Sequence, residues 1–160
     1  MELIIIKGDK HVGKTTTAAL LHNYLVERHN AEVKWMMLDH WKFPLQEKDL
    51  IPDFRSVLMY NMYTIGIISH GDTSRYLKAF IKEMIDDYHP DILIICANKK
   101  EYIWNMLRRT FENELKEENI FEITQEHWSP CIDNTIAFKE RLVRTINNHI
   151  LHFCNVKISS

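Results

Sequence analysis

The residues best suited to chemistry in this chain lie between Gly8 and Thr15, in the stretch GDKHVGKT. Their spacing matches the pattern G-x-x-x-x-G-K-[ST] and directly follows the apolar run Leu3 to Ile6. Glycines let successive backbone N–H groups turn inward around an anion. A lysine and a hydroxyl at this spacing suit a chain of phosphates and a magnesium ion. The stretch therefore predicts a phosphate-binding loop.

The flanking sequence supplies the strand and the helix that such a loop needs. The β-branched run before Gly8 is typical of a buried strand, and the residues from Thr15 onward predict a helix that ends at Asn30. The N-terminal end of that helix would direct its positive dipole end at the phosphates. We expect a nucleotide to be bound by the consecutive residues Gly8, Asp9, Lys10, His11, Val12, Gly13, Lys14, Thr15 and Thr16.

This stretch resembles the phosphate-binding loop of P-loop nucleoside triphosphatases and kinases, through Gly8, Gly13, Lys14 and Thr15. The resemblance implies that Lys14 is a catalytic residue that contacts the β- and γ-phosphates, and that Thr15 is a metal ligand. It also implies ATP or GTP, with Mg²⁺, as cofactors. The resemblance covers about the first 30 residues well, and the remainder only through the order of its elements.

Composition indicates the class of protein. The chain has 160 residues, of which 46% are hydrophobic, and a formal net charge of −2. That length suits one domain with a real core, so we interpret residues 1–160 as a single nucleotide-binding domain. Because basic residues are not in excess, neither a general nucleic-acid surface nor an anionic-membrane surface is indicated.

Cysteine usage and hydropathy predict a cytoplasmic protein. The three cysteines form no C-x-x-C pair, which argues against a disulfide framework and against a zinc site. The first apolar run is too short for a signal sequence, and no stretch approaches the ~20 apolar residues of a membrane span.

Strand and helix patterns alternate along the chain, which predicts an α/β fold. After the loop helix, strands are predicted at Glu32 to Leu38, Thr64 to Ser69, Asp91 to Ala97 and Ile120 to Thr124. Further helices are predicted at Thr73 to Tyr88, Glu101 to Glu118 and Thr135 to Phe153. Together with the first strand, these elements predict a three-layer α/β/α sandwich of the P-loop NTPase type, with a mostly parallel five-stranded sheet. The order of the strands stays open.

A long connection between the second and third strands is interrupted by Pro44 and Pro52. Connections longer than about 12 to 15 residues are usually functional or contain a short helix of their own. The segment Asp53 to Tyr60 suits such a helix. We interpret residues 40–63 as an acceptor-binding or lid insertion.

Residues that end the predicted parallel strands should share one edge of the sheet with the loop. These residues are Asp39, His70, Asp72, Asn98 and Lys99. Asp39 and Asp72 each follow an apolar strand, although Asp39 also suits a turn and Asp72 a helix N-cap. The order resembles small-metabolite and nucleoside kinases, in which an Asp that ends the second strand accepts the proton of the acceptor hydroxyl. We therefore predict Asp39 and Asp72 as catalytic residues, and Asp72 as a metal ligand beside Thr15.

These features favour Mg²⁺-dependent binding of a nucleoside triphosphate, with phosphoryl transfer to a small acceptor. Two alternatives stay open: an NTPase switch or accessory protein that acts with a protein partner, and a non-catalytic nucleotide-binding module. The run Asn98-Lys99-Lys100-Glu101 approximates the guanine-reading motif N-K-x-D, but Glu101 is one methylene too long. The sequence therefore does not decide between ATP and GTP.

Overall fold

The computed structural model of the protein describes residues 1–9, 12–38, 53–70, 74–99, 101–113, 116–125 and 132–158. Within these ranges the chain forms an α/β fold with a six-stranded mixed sheet and four α-helices. The strands are β1 (Glu2–Lys7), β2 (Glu32–Leu38), β3 (Phe54–Tyr60), β4 (Tyr63–Ile68), β5 (Ile92–Ala97) and β6 (Ile120–Thr124). The helices are α1 (Lys14–His29), α2 (Ser74–Tyr88), α3 (Glu101–Thr110) and α4 (Ile132–Ile158), with a short 3₁₀ helix at Glu117–Asn119.

Helix α1 begins and ends at residues with left-handed backbone conformation. Gly13 precedes it with φ of 87°, and Asn30 follows it with φ of 54°. The N–H of Asn30 donates to the carbonyl of Leu25, which satisfies one of the last carbonyls of the helix. The predicted end of this helix at Asn30 is therefore confirmed, as are the predicted bounds of β2 and β6.

The strands lie in the order β2-β3-β4-β5-β1-β6. β1 is parallel to both of its neighbours, whereas β3 is antiparallel to both of its own. β3 consequently runs against the other five strands. Its first residues lie at the edge where β1, β4, β5 and β6 have their carboxyl ends, which is the edge that binds ligands in open α/β sheets.

The predicted helix at Asp53 to Tyr60 is wrong, because residues 54–60 form β3 and raise the strand number from five to six. β3 joins β4 through a two-residue turn in which Asn61 and Met62 have φ of 46° and 71°. Asn followed by Gly is the usual sequence of such a turn, since both residues need positive φ. Met62 is atypical at such a position, so the sequence did not indicate the hairpin.

The helices cover both faces of the sheet. α1 and α4 share a buried apolar cluster with Ile4 and Ile6 of β1. α2 and α3 share a second cluster with Leu3 and Ile5, the alternate residues of the same strand. Successive side chains of a strand point to opposite faces, so a single apolar run contributes to two cores.

The last two helices differ in length from their predicted bounds. α3 ends at Thr110 rather than Glu118, and its last turn closes where the N–H of Phe111 donates to the carbonyl of Leu107. α4 extends beyond both ends of the predicted segment Thr135 to Phe153. None of the helices in the described ranges carries an apolar stretch long enough to cross a membrane.

Replacing Leu58 tests whether residues 54–60 form a buried strand. Leu58 is fully buried in β3, whereas Met62, in the adjoining turn, is 87% exposed. We expect Leu58→Ala to lower the free energy of unfolding by about 2 to 5 kcal/mol through lost burial and a cavity. Met62→Ala, the matched control, should change it by less than about 0.5 kcal/mol. Urea unfolding measures both, and equal small effects would contradict the assignment of β3.

Candidate functional site

The loop between β1 and α1 is closely packed at both of its glycines. A methyl group added to Gly8 would lie 2.6 Å from the carbonyl oxygen of Gln125 and 2.7 Å from a methyl of Val12. Gly13 has a positive φ, and a methyl group added to it would lie close to the side chain of Lys139. Gly8 therefore requires glycine for packing against the backbone of Gln125, and Gly13 requires it for its positive φ. Lys10 and His11 lie outside the described residues.

Lys14 is buried, and its ammonium group is directed back toward the loop. Its Nζ donates to the carbonyl oxygen of Gly8 at 3.0 Å and to that of Asp9 at 2.7 Å. Only 6% of the residue is exposed. The chain thus holds a positive charge inside the loop, and the charge is already oriented before any anion binds.

Thr15 connects the start of α1 to the start of β3. Its hydroxyl donates to Oδ1 of Asp53 at 2.7 Å. The other carboxylate oxygen, Oδ2, lies 2.8 Å from Nδ1 of His70. An ionised carboxylate only accepts, so Nδ1 carries the proton in this pair. The carboxylate of Asp53 is therefore held from both sides, with Oδ1 facing the loop.

Asp53 is ionised at neutral pH. Burial by itself would raise its pKa, but hydrogen bonds from His70 and Thr15, the nearby His70 ring and a further hydrogen bond from Ser69 together lower the pKa below its ordinary value of 3.8. His70 is itself buried, with its ring against Tyr76 and Phe80. The aromatic neighbours fix the ring that orients Asp53.

Asp39 and Asp72, the two carboxylates predicted for this site, lie outside the described residues. β2, which leads to Asp39, is the outermost strand and is four strand positions from β1. At ~4.8 Å per position, that is roughly 19 Å across the sheet. Among the described residues, the carboxylate that reaches the loop is Asp53. Sequence reasoning missed it, because a residue assigned to a helix start had no reason to lie at this edge.

Gln125 is a second residue that sequence reasoning missed. It follows β6 directly and is 1% exposed. Its backbone N–H donates to the carbonyl of Lys7 at 2.6 Å, and its Nε2 donates to the carbonyl of Val12 at 2.7 Å. Its Oε1 accepts from the hydroxyl of Thr17 at 2.8 Å. One side chain thus joins the loop to α1. Its position directly after a predicted strand was the available signal.

The other predicted edge residues lie around the loop but have different roles. Asn98 and Lys99 follow β5, and Nζ of Lys99 lies 3.6 Å from the exposed carboxylate of Asp9. That partial neutralisation weakens the repulsion that Asp9 would exert on a bound anion. Lys100, in the motif that approximates N-K-x-D, lies outside the described residues.

The site contains oxygen ligands that suit Mg²⁺. The Thr15 hydroxyl and the Asp53 carboxylate are adjacent, and both are hard ligands. Mg²⁺ is commonly held by one or two protein oxygens together with substrate phosphates and waters. Within the described ranges no group of three or more His, Cys, Asp or Glu residues is arranged to hold a metal ion. The two ligands therefore fit a Mg²⁺ ion that arrives with a phosphate.

An open cleft of about 350 Å³ lies between the outer parts of α1 and α4. Its lining includes Tyr24, Arg28, Glu140 and Arg144. Arg28 is roughly 20 Å from Lys14 along the helix axis, whereas Leu20, which also lines the cleft, is roughly 9 Å from Lys14, so the cleft extends along α1 away from the loop.

Comparisons with protein-family models, curated proteins and solved structures found no match to this chain. The function must therefore be inferred from the loop, from the contact between Thr15 and Asp53, and from the residues that hold both in place.

Replacing Gln125 by Glu tests how the loop is held. The change puts an oxygen in place of Nε2, against the carbonyl of Val12, and buries a charge. We expect the free energy of unfolding to fall by at least about 2 kcal/mol, measured by urea unfolding. Glu122→Gln in the preceding strand β6 is the control, because Glu122 is exposed and its contact with Lys7 is long, at 3.4 Å. Equal stability of the two variants would show that Gln125 does not hold the loop.

The pKa of Asp53 predicts how its contribution to stability depends on pH. Because folding lowers this pKa, ionised Asp53 stabilises the fold above its unfolded value of 3.8, and the contribution disappears as pH falls through the lower folded value. The difference in unfolding free energy between the wild type and Asp53→Asn should shrink as the pH falls from about 5 toward the lowered folded pKa. Urea unfolding at a series of pH values measures it. A difference that grew on acidification would contradict the geometry.

Proposed function

We propose that this chain is a P-loop protein that binds a nucleoside triphosphate with Mg²⁺ and transfers its terminal phosphoryl group to a small acceptor. The observation that carries the proposal is the 2.7 Å contact between the Thr15 hydroxyl and the Asp53 carboxylate, beside the buried Lys14. A hydroxyl, a carboxylate and an ammonium at the start of one helix are the groups that a magnesium–phosphate complex needs.

The binding step follows from the groups already in the loop. Lys14 donates to two backbone carbonyls, and phosphate oxygens would replace these as stronger, charged acceptors. The first N–H groups of α1 have no partners within the helix and point toward the same anion. The residues 8–16 would therefore bind the phosphates mainly through backbone N–H groups and one cation.

Asp53 and Thr15 would hold the metal. Mg²⁺ bound there would offset the negative charge that the phosphate oxygens carry during transfer. Asp53 is suited to this because its lowered pKa keeps it ionised. His70 is a positioning residue, since it contacts Oδ2 and leaves Oδ1 directed at Thr15.

The acceptor side of the reaction remains a proposal based on sequence. Asp39 as the residue that accepts the acceptor's proton, and residues 40–52 as the acceptor-binding segment, lie outside the described residues. Residues 54–63 lie in the β3–β4 hairpin of the sheet. Transfer to water would convert the same site into the NTPase of the second hypothesis, so the experiment must identify the product.

Calorimetry with ATP and GTP, with and without Mg²⁺, tests binding, and product analysis with a panel of nucleosides and metabolites tests transfer. Lys14→Ala should weaken triphosphate binding by at least about tenfold, because a charge-assisted hydrogen bond inside the loop is lost. Asp53→Asn should remove the gain in affinity from Mg²⁺ and the turnover while leaving metal-free binding intact. Asp91→Asn is the matched control, because Asp91 accepts from the N–H of Thr64 at the opposite edge of the sheet.

Each outcome of this experiment decides between hypotheses. A new phosphate ester supports the proposed transfer. Release of inorganic phosphate alone, stimulated by a protein partner, favours the switch hypothesis. Binding without turnover leaves the non-catalytic module. Unchanged affinity in Lys14→Ala would overturn the assignment of the loop itself.

A further inference from the structure

A lysine from the last helix lies against the loop. α4 packs beside α1 on the same face of the sheet, and Lys139 extends from it toward Gly13. A methyl group built on Gly13 would lie 2.7 Å from Nζ of Lys139 and 2.9 Å from its Cε. The ammonium group of Lys139 therefore lies next to Gly13, immediately before α1.

This position is electrostatically unfavourable for a cation in the protein alone. No described carboxylate makes an ion pair with Lys139, and burial lowers the pKa of its ammonium group. The first turn of α1 carries the positive end of the helix dipole, and Lys14 adds a further positive charge beside it. The ammonium groups of Lys14 and Lys139 and the N-terminus of α1 all lie at the loop, and this concentration of positive charge favours a bound anion.

Among the described residues, the carboxylates at the loop have other partners. Asp9 lies near Lys99 at 3.6 Å, and Asp53 is held by Thr15 and His70. Neither of these two carboxylates forms an ion pair with Lys139. An anion bound at the loop would offset part of the charge of Lys139.

We propose that Lys139 is a second phosphate-binding cation of this site and that it contacts the α- and β-phosphates of the bound nucleotide. The proposal rests on the proposed function, because it assumes that the loop binds phosphates. In loops of this pattern the backbone around the glycines holds the α- and β-phosphates, whereas the lysine at the position of Lys14 reaches the β- and γ-phosphates. Because Lys139 lies against Gly13, we expect it to contribute as much to the affinity for diphosphates as to the affinity for triphosphates.

Calorimetry of ATP and ADP binding to Lys139→Met tests this. We expect both affinities to fall by about tenfold, which is the effect of losing one charge-assisted hydrogen bond. The dependence of affinity on salt concentration should also become shallower, since one charge no longer takes part. Lys139→Arg, which keeps the charge, should retain most of the affinity. Arg141→Met is the matched control, because Arg141 is exposed on the same helix and should leave both affinities unchanged.

The outcomes separate this inference from the proposed function. If the wild type binds nucleotide and Lys14→Ala does not, unchanged affinities in Lys139→Met overturn the inference alone. A loss for ATP without a loss for ADP would also overturn it, because the contact would then be with the γ-phosphate. If the wild type binds neither nucleotide, both proposals fail. Thermal unfolding of Lys139→Met and Lys139→Arg verifies that each variant is folded, since Lys139 is only partly buried and its replacement should not destabilise the protein.

Discussion

The hydrogen bond between Thr15 and Asp53 joins the two parts of the molecule on which the site depends. Thr15 belongs to the first turn of α1, and Asp53 precedes the reversed strand β3. Helix and strand are separated along the chain, so this contact joins α1 to the edge of the sheet where β3 begins. A carboxylate inside a partly buried site is tolerated only when hydrogen bonds favour its charged form, and the hydroxyl and the imidazole provide them.

Support for this contact extends to the opposite face of the sheet. Arg55 lies in β3 two residues after Asp53 and contacts side chains of the second core, where its guanidinium lies 4.0 Å from the centre of the Phe80 ring. It donates to the carboxylate of Glu83 on α2 at 2.6 Å. Phe80 also contacts His70. The residues that orient Asp53 are thus held by α2 through one aromatic ring and one ion pair.

Local sequence signals allowed much of the fold to be predicted. The features that depend on pairing between distant segments were not predicted. Gly13 and Asn30 indicated the limits of α1, because left-handed backbone positions restrict the choice of residue. β2 and β6 were predicted because each is a bounded apolar run. β3 was misassigned because Met62 is an unusual residue for a turn with positive φ. The contacts of Asp53, Gln125 and Lys139 with the loop depend on strand direction and helix packing. Neither is encoded in the spacing of neighbouring residues.

The pairing of β1 has a consequence for synthesis on the ribosome. β1 precedes the other strands of this sheet along the chain, yet its partners are β5 and β6, and the loop that follows it is closed by Gln125, which is 113 residues from Val12. The apolar run Leu3 to Ile6 must therefore remain without its sheet neighbours until β5 and β6 have been translated. Parallel pairings between distant segments form slowly, because a long loop must close before they contribute. The hairpin of β3 and β4 has no such delay, so the part of the sheet that presents Asp53 can form before the loop that it contacts.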